Sequence, residues 1–403
     1  MATVAPLPKI KSINTLDSIR KATITYQPFK ALWVLLAVST TLIRLPLWTL
    51  LYLLPSLRPN PHWTFRQALG TRIVRLFLYQ SSLVEVKTPT SLSPGAEKSR
   101  FVTIDPSSSP RYASLFKGIL NSDPAIRPAP LGATWYPQPP SSPSSPPAGD
   151  TVLHLHGGAF VLGDGRTADA GFAAKSFLNA RGAHMRHVLA PQYRLSSNRG
   201  GHFPAALQDA VSAYAHLVLE LGVPASRVIV SGDSAGGNLV IALLRYLAEY
   251  GEEVGLAAPG AAWLWSPWVD PMAARDPGAV ARNPRQGTDF LTPGFGYWGA
   301  WSYVPAEGAV VEPGDAYVGA LGRPFATRTP VWVQTGSAEV LYEEDKAFAE
   351  QMKGIDGNRV ECHVVQHAPH DICLIGHLLG WGDQALECAK RAGEFVRRAR
   401  KAV

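Results

Sequence analysis

The 403-residue chain has little charge. Asp, Glu, Lys and Arg make up 17% of it, against roughly 25% in an average soluble domain. With 46% hydrophobic residues, disorder throughout is excluded. Cysteine is scarce: Cys362, Cys373 and Cys388 are the only three. An odd number rules out a complete disulfide framework, and no CxxC or Cys/His zinc spacing occurs, so no metal is expected. No N-x-[ST] sequon with x other than Pro is present, so nothing points to a glycosylated lumenal domain. Acidic residues are nearly missing from one end. The first 85 residues hold ten Lys/Arg and two acids, Asp17 and Glu85, while the remaining 318 hold 28 and 29. The net charge of +7 therefore sits at the N-terminus. A nucleic-acid partner would call for a basic footprint on the folded domain, so none is expected. The basic excess flanks an apolar stretch instead, which suits anionic lipid headgroups.

That stretch, residues 31–54, reads ALWVLLAVSTTLIRLPLWTLLYLL. As one helix it would run about 36 Å, enough for a hydrocarbon core of about 30 Å. Arg44 and Pro46 interrupt it. An unpaired cation near the middle costs about 2.5–3.5 kcal/mol on insertion scales. Membrane association is expected: spanning with Arg44 snorkelling is favoured over lying in the interface, and both over burial against the rest of the chain. The endoplasmic reticulum or another lipid-associated surface is the expected location. The run starts too late, is too long and lacks a small-x-small exit for a cleaved signal peptide. Basic residues on both sides leave the orientation open. Residues 62–80 place apolar side chains at helical intervals and read as a lid or an interfacial helix. The expected division is a tail and apolar segment over 1–60, a helical cap or interfacial segment over 61–97, and a catalytic domain over 98–403.

From residue 151 the pattern alternates. Strand-like runs occur at 151–156, 186–190, 227–231, 261–266, 330–335 and 360–365. Helix-like runs lie at about 167–180, 204–221, 236–250, 340–353 and 376–400. This predicts βαβ units and a mostly parallel sheet, with ligand chemistry at the carboxyl ends of its strands. No G-x-G-x-x-G follows the first of these strands, which argues against a nicotinamide dehydrogenase. The stretch from Pro271 to Thr329 breaks the alternation and reads as a cap insertion at about 271–329. Residues 137–149, PQPPSSPSSPPAG, resist helix and sheet and read as an exposed hairpin loop between strands on either side.

Two motifs carry chemistry. Gly232-Asp233-Ser234-Ala235-Gly236-Gly237 follows the strand RVIVS and opens a helix, the context a G-x-S-x-G nucleophile elbow requires. The turn projects the Ser234 hydroxyl beyond the sheet edge. It sets the Ala235 N–H at a helix N-terminus, where positive dipole character favours an oxyanion. Asp233 is read as a turn residue or an acceptor of loop N–H groups. His156-Gly157-Gly158-Ala159-Phe160 follows the strand TVLHLH. Its glycines let a loop approach closely, and the Gly158 and Ala159 N–H groups are candidate oxyanion donors. An Asp nucleophile of the epoxide-hydrolase or dehalogenase kind is excluded because position 234 is Ser.

With these two motifs, and with Tyr193-Arg194-Leu195, Phe203-Pro204-Ala205-Ala206-Leu207 and Asp209 between them, residues 100–400 resemble the hormone-sensitive-lipase-like branch of α/β-hydrolase serine esterases. The third glycine of the HGGG-type loop is Ala159 here, with its N–H retained. The apolar N-terminus makes the chain similar to membrane-anchored fungal steryl acetyl hydrolases and related natural-product esterases. The resemblance implies an α/β-hydrolase fold with a cap, no cofactor, and a Ser-acid-His triad in that chain order. It puts the base at His370, in the loop after VECHVV; His367 competes, His377 falls on the following helix and His363 inside the strand. It puts the acid at the turn after PVWVQT, where Glu339 stands in place of the usual Asp. Glu343, Glu344 and Asp345 lie further into the helix and are read as solvated. Trp263, Trp265 and Trp268 are read as core and rim, while Trp298 and Trp301 stand between packing and pocket.

The expected activity is hydrolysis of short-chain esters, such as acetates, of hydrophobic alcohols such as sterols or terpenoids. Ser234, Glu339 and His370 would do the work, with Gly158, Ala159 and Ala235 binding the oxyanion. Lactone opening, thioester release and transacylation would use the same residues, and a fold without catalysis is a third class. The expected partners are a small hydrophobic ester and membrane lipid; the oligomeric state stays open.

Overall fold

The computed structural model describes residues 23–140, 149–180, 185–305, 311–312 and 315–401. Eight strands form one sheet: β1 (Phe101–Ile104), β2 (Leu131–Tyr136), β3 (Asp150–Leu155), β4 (Met185–Gln192), β5 (Val228–Asp233), β6 (Ala261–Trp265), β7 (Val331–Gly336) and β8 (Val360–Val365). Their order is β1-β2-β4-β3-β5-β6-β7-β8. β2 runs antiparallel to both neighbours, and every pair from β4 to β8 is parallel. β3, β5, β6 and β7 are buried at every residue. That is why they read as near-continuous apolar runs rather than alternating ones.

All six strands expected from the alternating region are present. β1 carries too short an apolar run to have been read. The hairpin expected across 137–149 is overturned. That connection joins β2 to β3, but β4 lies between them and pairs with both. Part of it, 141–148, lies outside the described residues.

Helices α3 (Thr167–Leu178), α4 (Ala205–Ala215), α5 (Ala235–Val254) and α8 (Tyr342–Lys353) follow β3, β4, β5 and β7. The helix expected at 376–400 is two, α9 (Ile372–Leu379) and α10 (Gly382–Lys401). Gly380 separates them at φ 85, a left-handed cap that favours glycine, and Trp381 N–H closes the turn on the Gly376 carbonyl at 2.7 Å. Phe177 of α3 packs on Trp263 and Trp265, and Phe395 of α10 on Trp332. Trp263 and Trp332 are register partners, so these helices cover one face. Trp263 and Trp265 are core, as expected. The insertion contributes α6 (Pro277–Arg282) and α7 (Pro293–Tyr303); 306–310 and 313–314 lie outside the described residues.

Helix α1 (Phe29–Leu53) is long and apolar enough to cross a membrane by length and composition. It continues through Pro46. Ala37, Trp48 and Tyr52 are its buried residues, while Leu32, Leu35, Leu42, Ile43, Leu47 and Leu50 are all more than half exposed. Its inner stripe meets α2 (Phe65–Val84), where Trp33 Nε1 donates to Gln80 Oε1 at 2.9 Å and the Arg72 guanidinium lies 5.2 Å over the Trp48 ring. Helix α2 starts with a capping box between Thr64 and Gln67. It packs on α7 of the insertion and on α9, the helix that follows the His370 loop.

Candidate active site

Ser234 follows β5 and caps α5 at φ 49, ψ −115, a conformation sparsely populated by any residue with a Cβ. Neighbouring backbone over-determines it. Ser234 N–H donates to the Trp265 carbonyl at 2.9 Å, and the Ser234 carbonyl accepts from Trp268 at 2.8 Å and Asn238 at 3.1 Å. The motif's glycines are there for contact. A Cβ on Gly236 would lie 1.9 Å from the Leu155 carbonyl oxygen, and one on Gly232 would lie 2.2 Å from that of Gly236.

The loop after β3 turns back on itself. Gly158, Ala159 and Phe160 have φ of 101, 52 and 61, and a Cβ on Gly158 would meet the Leu162 carbonyl oxygen at 2.2 Å. Among the described residues, the Gly158 and Ala159 N–H groups donate to nothing. Asp233 fastens this loop to the elbow: Gly157 N–H donates to its Oδ2 at 2.8 Å, and His154 Nε2 stands 3.3 Å from Oδ1. Burial opposes its charge most strongly, but His154, a hydrogen bond from Asp371 and the charge of His156 together hold the Asp233 carboxyl below its usual range. Tyr193 backs the loop, donating from its hydroxyl to the His156 carbonyl at 2.6 Å with its ring stacked on the His156 imidazole.

Glu339 and His370 follow the carboxyl ends of β7 and β8, as Ser234 follows β5. His370 Nδ1 lies 3.5 Å from Glu339 Oε2. That is long for a hydrogen bond, though such contacts often tighten when substrate binds. Both side chains are buried. Burial disfavours the imidazolium, yet Glu339, with Asp289 and Asp233 beyond it, raises the His370 pKa above 6.5. Burial likewise disfavours the Glu339 carboxylate, and the partners His370, Asp345 and Thr335 hold its pKa down nonetheless.

His367 stands apart. Its ring stacks on His62 at 4.1 Å, and its N–H donates to Ser337 Oγ at 2.7 Å. His363 stacks on Trp332 inside the sheet, and His377 lies on α9.

Several side chains at the site were not found from the sequence. Ser266, just past β6, donates to Glu339 Oε2 at 2.7 Å and accepts the Asp371 N–H at 3.1 Å. Asp289, from the insertion, ties the acid turn to the base loop. Its carboxylate accepts N–H from Val340 at 2.7 Å and from His370 at 3.2 Å. Burial pushes its carboxyl up to about 6, while His370 opposes the rise. Trp63 Nε1 donates to the His367 carbonyl at 2.6 Å. Arg58 joins the same region to the end of α1, donating to the carbonyls of Tyr52 at 2.9 Å and Trp63 at 2.7 Å. None of these follows a motif; each depends on which loops meet.

The reading of Glu344 and Asp345 as solvated is overturned. Asp345 is wholly buried, beneath β7. Glu344 lines the cavity at Ser234, where burial and then Asp270 push its carboxyl up to about 7. The first turn of α8 faces the sheet because the chain has just left the carboxyl end of β7. The cavity measures about 100 Å³ and is lined by Ser234, Ala159, Trp268, Leu291, Phe295 and Val340 among others. Trp298 is buried outside that lining, and Trp301 is 45% exposed beneath Arg275. A larger open trough of about 1750 Å³ includes Asp150, Gly260 and Pro330. These sit at the amino ends of β3, β6 and β7, away from the elbow.

A strained serine between a parallel strand and a helix, with an imidazole and a carboxylate from the ends of later strands, defines an α/β-hydrolase. The sequence bears this out. A family described as alpha/beta hydrolase fold matches residues 152–374, more than half of the chain, and the chain belongs to that family. An acetyl-hydrolase of Streptomyces hygroscopicus is 32% identical over 200 residues, 50% of this chain and 60% of the relative. An ethyl acetate hydrolase of Pseudomonas putida is 28% identical over 251 residues, 59% of this chain and 71% of the relative. An esterase/lipase crystal structure from an uncultured bacterium superposes with TM-score 0.52 at 26% identity, covering 67% of this chain and 81% of that one. The chain thus spans less than two thirds of the Streptomyces relative's length.

Proposed function

We propose that the protein is a membrane-associated serine carboxylesterase that removes short acyl groups, acetyl foremost, from hydrophobic alcohols. The observation that carries this reading is the strained Ser234 at the wall of a mainly apolar cavity of about 100 Å³ that Glu344 and Asp270 also line. That volume is well below the roughly 300–1,000 Å³ of a pocket for a larger ligand. The names of the Streptomyces and Pseudomonas relatives support small acyl groups.

In this mechanism His370 takes the Ser234 proton as Oγ attacks the ester carbonyl. The N–H groups of Gly158, Ala159 and Ala235 receive the oxyanion. Glu339 holds the imidazole tautomer and stabilises its protonated form. The alcohol leaves with the proton from His370, and water then hydrolyses the acyl-enzyme. Every step uses side chains and backbone of this chain. The leucine-covered surface of α1 would keep the site at a bilayer, where sterol- or terpenoid-like esters dissolve.

The test is turnover of p-nitrophenyl esters from acetate to palmitate by the full chain, with S234A as control. Fast acetate turnover lost in S234A supports the reading. Turnover that survives in S234A refutes the serine mechanism, and a maximum at palmitate refutes the small acyl site. Carbonate extraction of membranes tests the anchor: release of the whole protein into the wash would refute it.

A further inference from the structure

Behind Glu339 lies a second carboxyl group that the mechanism above does not use. Thr335, on β7, carries one hydroxyl proton. Its Oγ1 lies 2.8 Å from Asp345 Oδ2 and also contacts Glu339 Oε1 in a short hydrogen bond. One proton cannot serve two acceptors, so a second must reside in this chain of three groups. Its place follows from the neighbours. Glu339 accepts from Ser266 at 2.7 Å and faces His370 Nδ1 at 3.5 Å, both of which favour its anionic form. Asp345 is wholly buried, and its Oδ1 has no partner. The titratable groups felt there are carboxyls: Glu339, by its charge and by a side-chain hydrogen bond, and Glu344. Cys362 of β8, which also feels the charge of Glu339, is a thiol whose pKa burial pushes up to about 11.

We propose that Asp345 is a positioning residue for the catalytic base: as a neutral acid it donates to Thr335 Oγ1, and Thr335 donates in turn to Glu339, fixing that carboxylate opposite His370. The proposal rests on the esterase reading, in which His370 is the base. Burial, with the charge of Glu339, also raises the Asp345 carboxyl well above its usual range, the direction that favours the neutral form. An orphan acid under a β-strand would be hard to account for by packing, since an apolar side chain of the same volume would avoid the cost of burying it. As the inner end of a proton-counted chain, it has a reason to be there.

The test compares D345A, D345N and wild type as full-length proteins by kcat, KM and the acid limb of kcat/KM for p-nitrophenyl acetate, with S234A as background. The acid limb reports His370. The groups facing that imidazole are Glu339, Asp289 and Asp233, all of which favour its charged form. D345A removes the donor to Thr335, so Glu339 loosens and supports the imidazolium less. The expected result is a kcat about tenfold lower at similar KM, with the acid limb displaced to lower pH by about half a unit or more. D345N presents an N–H donor with no charge, so it restores both kcat and the limb. T335V is expected to behave like D345A, and T335S like wild type; these two keep the test open should D345A fold poorly. A D345N limb displaced from wild type would show that a charge was lost and overturn the neutral acid. D345A with wild-type kcat and limb would overturn positioning, as would a lower melting temperature with the limb unmoved. Turnover that persists in S234A would instead strike at the esterase reading, a result that none of the Asp345 variants produces.

Discussion

Replacing the nucleophile by glycine is expected to stabilise the protein relative to replacing it by alanine. Both variants lose the hydroxyl, so its hydrogen bonding cancels in the comparison. What differs is the Cβ at φ 49, ψ −115. A residue with a Cβ held in such a region stores about 1–3 kcal/mol. Glycine releases that strain, but its freer unfolded chain costs about 0.5–1 kcal/mol. The net gain of S234G over S234A is then about 0.5–2 kcal/mol. At an unfolding entropy of about 2.1 cal/mol/K per residue the whole chain has ~0.8 kcal/mol/K, so the melting temperature should rise by about 0.6–2.5 °C. Urea melts in one detergent, followed by tryptophan fluorescence, read the same difference as a shift in midpoint. Equal or lower stability of S234G would refute the argument, since it would mean that the elbow stores no strain at Ser234.

Three further outcomes follow from the site. Because Glu339 and its companions raise the His370 pKa above 6.5, kcat/KM should fall as pH drops through that raised value, where the base becomes protonated. E339Q should move the acid limb down and lower kcat by about 10⁴, as the tautomer is no longer held; a wild-type limb midpoint at or below the ordinary imidazole value of 6.5 would contradict this. W63A removes a buried indole and its 2.6 Å bond to the His367 carbonyl. It should cost about 3–5 kcal/mol, against about 1 kcal/mol from the lost bond plus a little packing for W63F; equal losses in denaturant titration would mean that the indole is not packed as described. D289A leaves the Val340 and His370 N–H groups without their acceptor. It should lower kcat with little change in KM, and a rise in KM alone would show that Asp289 serves binding instead.

What could be read in the chain without its fold is of one kind. The parallel strands announce themselves because burial on both faces demands continuous apolar runs. The elbow and the loop after β3 announce themselves because a sharp turn needs Gly232, Gly236 and Gly158 at set spacings. Residues 31–54 stand out because a long apolar run interrupted by a single charge is rare. Positions for Glu339 and His370 came from resemblance, and the geometry brings those two side chains together at buried, adjacent loops. The residues that escaped are those whose environment is made by distant segments. Ser266, Asp289 and Trp63 reach the acid and the base from a strand end, an insertion and the N-terminal region, and no local pattern foretells such a meeting. Asp345 escaped for a related reason. On the helix alone it is one acid among three, and only the angle at which α8 leaves β7 turns it inward beneath Thr335.

The division is therefore physical. Sequence by itself determined the elements whose rules are local: strand burial, glycines in crowded turns and the apolar length of α1. Tertiary structure decided the order β2-β4-β3, against the hairpin expected from adjacency, because strand neighbours are chosen by the sheet as a whole. It decided in which direction each buried carboxyl is shifted, because desolvation and opposing charge depend on segments far apart in the chain. It also decided how small the space beside Ser234 is, since the loop after β3, α7 and the turn after β7 close around it.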